Sequence, residues 1–183
     1  MPEFRFHLND EEKQYLKDLV RWSIRSFFFA AEAERPFCPS DKLRSRFGAF
    51  VTLKKGGRLR GCIGHIMGDA PLVETLAKMA RAAAFEDPRF PPLGRAELEE
   101  VEIEVSILSP LERVTDMTLI EPGRHGLLIK RHWSSGLLLP QVALEWGWDR
   151  ETFLAQTCRK GGLPGDCWQD PDTEVYWFEA EVF

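Results

Sequence analysis

Residues 59–64 read Leu59-Arg60-Gly61-Cys62-Ile63-Gly64, a thiol between two glycines and two positions after an arginine. Side chains alternate across a strand, so Arg60, Cys62 and Gly64 share one face and Leu59, Gly61 and Ile63 the other. Leu59 and Ile63 suit a core, which aims Cys62 away from it. Glycine weakens a strand interior, so this pair points to a bulge or to the close approach of another backbone or a ligand. Residues two apart on a strand are separated by about 7 Å. At that distance a guanidinium favours a thiolate by about 0.6 to 2.4 kcal/mol, as the effective dielectric falls from about 80 to about 20. The chemistry to expect is that of a nucleophile or covalent acceptor. Cys62 would react, Arg60 would ionise it or bind an anionic substrate, and Gly61 and Gly64 would leave that substrate room. The competing reading is inert packing, because free cysteine is among the most buried residue types.

The partner strand depends on the turn. A two-residue turn at Gly56-Gly57 sets Val51 opposite Cys62 and Leu53 opposite Arg60, whereas a three-residue loop sets Phe50 and Thr52 there. The tip, Lys54-Lys55-Gly56-Gly57-Arg58, is basic and suits either an anion or plain solvent. Gly61-x-x-Gly64 is similar to the clamp of KH domains, but that loop joins helices and this one lies in an expected strand.

Helpers come from elsewhere in the chain. Asp87 and Arg89 lie in a proline-rich segment, 85–93, and join the site if that loop folds over the hairpin. Glu86 beside them is a candidate substrate contact. The alternative is a loop tied down by its own ion pair. His125, before Gly126, is a candidate base or a turn residue. Gln141, after Pro140, is a candidate hydrogen-bond donor or a cap. Cys62 and His65 are three apart, on opposite faces of a straight strand, which is wrong for chelation. No metal and no cofactor are expected. Cys38, Cys62, Cys158 and Cys167 are far apart, with no CxxC pair, and read as free thiols. Cys158, near Phe153 and Leu154 on one helix, reads as packing.

The elements that must position these groups follow from periodicity. Asn9 with Glu12 has capping-box form and opens a helix to Ala33, with Leu16, Leu19, Val20, Ile24, Phe27 and Phe28 on one stripe. Strands are expected at 48–54 and 58–66. A helix follows over 71–84, with many small residues on its buried face, so something should pack closely there. Val101, Ile103, Val105 and Ile107 alternate with polar residues as a half-buried strand. A second hairpin spans 126–130 and 136–139. Pro140 opens a short helix that Gly147 closes, Asp149 caps a helix over 150–160, and 174–182 is a closing strand. Mixed hairpins and helices without a βαβ rhythm indicate an α+β fold, a mostly antiparallel sheet flanked by helices. Five of the six tryptophans fall after residue 130, which suggests a second small core there. The expectation is one domain over 1–183 in two lobes with a cleft between them. The larger lobe takes about 1–120 with the C-terminal strand, and the smaller about 121–172.

The chain has 183 residues and a formal net charge of −5, which argues against a general nucleic-acid coat protein. No apolar run approaches the roughly 20 residues that span a bilayer. The start shows no basic-then-apolar signal pattern, so a cytoplasmic location is expected.

Several blocks in order resemble one family. They are Leu59-Arg60-Gly61-Cys62-Ile63-Gly64; Ala83 through Leu93 (AAFEDPRFPPL) with Ile103-Glu104-Val105-Ser106; and Gly136 through Ala143 (GLLLPQVA) with Gly147-Trp148-Asp149 and Gly162-Leu163-Pro164. This pattern is similar to the AMMECR domain family, whose prokaryotic members are called AmmeMemoRadiSam system protein A. The resemblance covers nearly the whole chain after the first helix. It implies a two-lobed α+β fold with the Cys62 motif near the cleft. It also implies two partners, a Memo-type protein similar to metal-dependent dioxygenases and a radical SAM enzyme. The readings to test are a cysteine-dependent enzyme or enzyme component, a non-catalytic adaptor that presents the cleft or the basic hairpin, and a nucleic-acid-associated regulator.

Overall fold

The computed structural model describes residues 8–29 and 34–183. Among them are four α-helices and seven strands: α1 Asp10–Phe28, β1 Gly48–Lys55, β2 Arg58–His65, α2 Leu72–Phe85, β3 Val101–Leu108, β4 Glu112–Arg113, β5 His125–Arg131, β6 Ser134–Leu138, α3 Pro140–Glu145, α4 Arg150–Lys160 and β7 Glu174–Val182. The fold is α+β, and the strand pairs named below are antiparallel. The described residues divide into two compact units, 8–108 with 181–183, and 109–180.

The first unit begins as its sequence dictates. Asn9 Oδ1 accepts from the Glu12 N–H at 2.8 Å, and Glu12 Oε2 accepts from the Asn9 N–H at 3.0 Å. This reciprocal cap satisfies two of the orphan donors at the helix start. Glu12 also takes an ion pair from Lys42 at 2.7 Å. The α1 stripe of Leu16, Leu19, Val20 and Ile24 is buried. The helix runs to Phe28, and the expected extension over 30–33 lies outside the described residues.

Helix α2 lies on β1 and β2 and against α1. Ala49, Val51 and Leu53 of β1 and Val105 and Ile107 of β3 are fully buried and share one sheet face. Burying each larger aliphatic side chain contributes about 1.5–3 kcal/mol. β1 is central, with β2 on one side and β3 on the other. Beyond β3 the chain terminus adds a pair of bonds, Val105 N–H to Phe183 O at 2.9 Å and Phe183 N–H to Val105 O at 3.1 Å. β2 is the outer strand, and its edge carries the site described below.

In the second unit β5 pairs β6 and β7, and the two-residue β4 pairs β7. Leu127, Ile129, Phe153, Leu154 and Val175 form a core against which Trp148, Trp168 and Trp177 pack. The tryptophan-rich half therefore has its own core, as its composition suggested. Trp133 and Trp146 are exposed.

The cysteines depart from expectation. Cys158 and Cys167 are joined in a disulfide, with Cα atoms 6.2 Å apart, and only Cys38 and Cys62 are free. The Gly161-Gly162 turn returns the chain to the end of α4, where Leu163 N–H bonds Cys158 O at 3.0 Å. That return brings two thiols nine residues apart within bonding geometry, with no CxxC pattern to announce it. Among the described residues no helix is long and apolar enough to cross a membrane.

Candidate functional site at the edge of β2

The hairpin turn is the two-residue kind. Gly56 and Gly57 have φ of 55° and 73°, which such a turn demands at both positions and glycine adopts without strain. Lys55 pairs Arg58 and Lys54 pairs Leu59, but then the register shifts and Leu53 pairs Gly61. Arg60 is the extra residue of a β-bulge. One extra residue inverts the face of everything beyond it. Thr52 therefore stands opposite Cys62, a pairing that neither turn length predicted. Leu59, expected in the core, is 43% exposed for the same reason.

Arg60 is correspondingly not the cation at the thiol. Its Nε and Nη2 donate to the two Glu97 carboxylate oxygens at 3.1 and 3.0 Å, and Nη1 donates to Pro91 O at 3.0 Å. This bidentate pair holds the Glu97 carboxyl down at about 2, first through Arg60 and then through the Gly94 N–H. Lys55 reaches Glu97 and Glu100, and Lys54 reaches Glu104 at 2.8 Å. Two lysines of the basic tip are thus already paired with carboxylates.

The group beside Cys62 is the proline-rich loop. The Cys62 N–H donates to Asp87 Oδ2 at 2.9 Å, and Arg89 Nη2 donates to the Cys62 carbonyl at 3.1 Å. Asp87 and Arg89 thus take the place of a neighbouring strand on the β2 edge. Asp87 is buried and also accepts from the Arg89 N–H, Nε and Nη2 at 3.1, 2.9 and 2.7 Å. These bonds hold its carboxyl well below the usual carboxylate range, Arg89 first; burial opposes them and the Cys62 and Arg89 N–H groups add to them. Asp87 is therefore an anion at neutral pH and an anchor rather than a proton shuttle. Arg89 has its cation reinforced, first by Asp87 and also by Cys62. Its side chain is 51% exposed.

Cys62 itself is half-buried, and Thr52 Oγ1 donates to its sulfur at 3.3 Å. Thr52 is 7% exposed, so that hydroxyl has few alternatives. It is the site residue that sequence reasoning missed, because only the bulge brings it opposite the thiol. Glu97, 37 residues from Arg60, was missed as well.

The glycines have packing partners. A Cβ on Gly61 would lie 2.1 Å from the Ala83 carbonyl oxygen, and one on Gly64 would lie 2.1 Å from the Phe50 ring. The first contact is the close packing that the small residues of α2 foretold. The space expected for a substrate at these two positions is filled by protein.

Glu86 is exposed at the C-cap of α2, and its side chain makes no hydrogen bond or ion pair with this cluster. His125 and Gln141 belong to the other unit. His125 is buried on Trp177 with ring centroids 4.5 Å apart, and its Nδ1 accepts from the Glu121 N–H at 3.1 Å. Burial, then Arg124, pushes its pKa down, which keeps the ring neutral. Gln141 lies on α3, with its Oε1 buried and unpartnered. Among the described residues no three His, Cys, Asp or Glu side chains converge as metal ligands.

Fold and site together define an α+β protein with a half-buried cysteine fixed on a sheet edge by an aspartate–arginine pair. The chain belongs to the AMMECR1 family, whose model matches residues 18–183. A protein of Methanothermobacter thermautotrophicus is 45% identical over 183 residues, covering 96% of this chain and 95% of its own. Protein TK0174 of Thermococcus kodakarensis is 46% identical, covering 97% and 92%. The crystal structure of the uncharacterised protein PH0010 from Pyrococcus horikoshii superposes with a TM-score of 0.88 at 43% identity, covering 96% of this chain and 92% of that one.

Proposed function

We propose that Cys62 is the working residue of this AMMECR1-family protein, a nucleophile or covalent acceptor for a small or anionic substrate. The protein would act as an enzyme or enzyme component beside a Memo-type protein and a radical SAM enzyme. One observation carries the reading: Cys62 is only half-buried and its sulfur accepts a hydroxyl hydrogen bond, while the backbone on both sides of it is pinned by charged groups. Thr52 stabilises developing negative charge on sulfur. Arg89, with half its side chain in solvent, offers that charge or a substrate anion its open donors. Asp87 positions Arg89, and Arg60 positions the loop through Glu97 and Pro91. The test is intact-protein mass spectrometry on protein purified from its own cells without reductant. An adduct that maps to Cys62 and vanishes in Cys62→Ser supports the reading. An unmodified thiol, with Cys62→Ser fully active in a reconstituted partner system, overturns it.

A second reading, a non-catalytic adaptor, is favoured by the large apolar side chains left in solvent on the 109–180 unit. Trp133 is 103% exposed, Trp146 69% and Leu144 66%. Under that reading Trp146→Ala abolishes capture of the Memo-type or radical SAM partner, while Cys62→Ser does not.

A further inference from the structure

Charge is unevenly shared between the two units. Residues 109–180 carry eleven Asp and Glu side chains against seven Lys and Arg, whereas the described residues of the other unit carry sixteen of each. The corner between α3 and α4 concentrates the imbalance. Glu145, Asp149 and Glu151 are exposed there, and Arg150, the one cation over 140–158, donates its Nε to Ile120 O at 2.9 Å. Among the described residues Glu145 and Glu151 make no ion pair, and the Asp149 carboxylate caps α4, accepting from the Thr152 N–H at 2.8 Å. Arg124, beside Gly123, is divided between Glu121 at 3.2 Å and Glu179 at 2.9 Å.

Two large apolar side chains stand exposed among these acids in the chain, and both are held in place. Leu144 lies on Gly123, where a Cβ would come within 2.7 Å of its side chain. Trp146 stacks on Trp148, with ring centroids 6.0 Å apart and planes 17° apart, and Trp148 packs on the core of the unit. Gly147, at φ 62°, ends α3 and lets the Trp148 N–H reach Ala143 O at 2.9 Å. Side chains already ordered lose little freedom when a partner covers them. An apolar centre with a charged rim is the anatomy of a protein interface, and tryptophan is among the residues that most often carry its binding energy.

We propose that the α3–α4 corner docks a basic amphipathic segment of another protein, its apolar side chains covering Leu144 and Trp146 and its lysines or arginines facing Glu145, Asp149 and Glu151. The inference rests on the adaptor reading and adds the chemistry of the partner. Charge selects that occupant. An acidic segment would set like charges against uncompensated carboxylates, and an uncharged one would strip water from them without replacing it. A second copy of this chain is a poor match. Its other unit has no excess of cations, and Lys54 and Lys55 of its basic hairpin are already paired with Glu104, Glu97 and Glu100.

The experiment is amide NMR titration of the full ¹⁵N-labelled chain with three synthetic peptides of equal length. One is amphipathic, leucine on one face and lysine on the other; the second has glutamate for lysine; the third keeps the lysines and has serine for leucine. The lysine–leucine peptide should give saturable shifts clustered over 121–124 and 143–152, and the other two should bind at least about tenfold more weakly. Trp146→Ala should weaken the lysine–leucine peptide about thirtyfold. Glu145→Gln and Glu151→Gln together should weaken it about three- to tenfold and make its binding less sensitive to salt. The three side chains are exposed, so the variants keep the fold. The proposal is overturned by shifts that scatter or do not saturate, by the serine peptide matching the leucine one, by Trp146→Ala binding as the parent does, or by a dimer in sedimentation that Trp146→Ala disperses. The glutamate peptide matching the lysine one overturns it too, yet leaves the adaptor reading standing. That reading falls only if Trp146→Ala still captures the Memo-type or radical SAM partner.

Discussion

Replacing Asp87 with alanine removes one side chain and four hydrogen bonds. The carboxylate that is lost is buried, and it holds the Cys62 N–H at 2.9 Å and Arg89 through its N–H, Nε and Nη2. Breaking a buried charge pair costs about 3–5 kcal/mol when the remaining charge stays buried. Arg89 does not stay buried, because its side chain is 51% exposed and recovers water. The expected cost is therefore about 2–4 kcal/mol, an upper figure below that of a fully buried pair. For a chain of this size that is a fall in Tm of about 4–16 °C. The effect should also be local. The Cys62 amide loses its one partner, so its hydrogen exchange should accelerate about 30- to 150-fold for a local loss of about 2–3 kcal/mol. The amides of Val51 and Leu53, in the central strand, should hold their protection. Asp87 also sets an acid limb. Its folded pKa lies below its unfolded value near 3.9, so its stabilisation is complete above about pH 5 and is lost as pH falls through the folded value. Asp87→Ala should flatten that limb and leave the alkaline side unchanged. A melting point within a degree of the parent, or unchanged exchange at Cys62, refutes the anchoring role.

Gly61→Ala should destabilise by about 1–3 kcal/mol or more, because the new methyl meets the backbone carbonyl of Ala83 at 2.1 Å. Gly64→Ala meets only the Phe50 side chain, which can turn, so its denaturant midpoint should fall less. Reducing the Cys158–Cys167 bond, nine residues apart in sequence, should cost about 2.5 kcal/mol, and dithiothreitol should lower the Tm of the parent but not of a Cys158→Ser variant. An unchanged midpoint under reduction contradicts the bond. Glu97 should protonate only as pH falls toward about 2, so Glu97→Gln should weaken the hold on Arg60 at neutral pH and remove the matching part of the acid transition.

Much of the scaffold was legible from local chemistry. Asn9 and Glu12 announced the α1 cap, the alternation from Val101 to Ile107 announced β3, and the small residues of α2 announced the close approach now seen at Gly61. The sequence leaves the Asp87–Arg89 loop either folded over the hairpin or tied down by its own ion pair, and the structure shows both. What stayed hidden depends on pairings that local chemistry does not set. Gly56-Gly57 specifies a turn but not the bulge at Arg60, and that single residue exchanges Val51 for Thr52 opposite the thiol. Arg60 finds Glu97 only because the chain returns 37 residues later. The disulfide likewise rests on the path of the Gly161–Gly165 return. The first cation assigned to the thiol was therefore the nearest in sequence, whereas Arg89, 27 residues away, is the one that bonds the Cys62 backbone.

The most direct measurement is the rate of alkylation by iodoacetamide at neutral pH, read site by site by mass spectrometry on native protein. Cys62 and Cys38 are both free and both half-buried, which makes Cys38 an internal control. The account predicts that Cys62 reacts faster, and that Thr52→Val and Arg89→Met each slow it toward the Cys38 rate. Equal or slower labelling of Cys62, or rates indifferent to both substitutions, would contradict it.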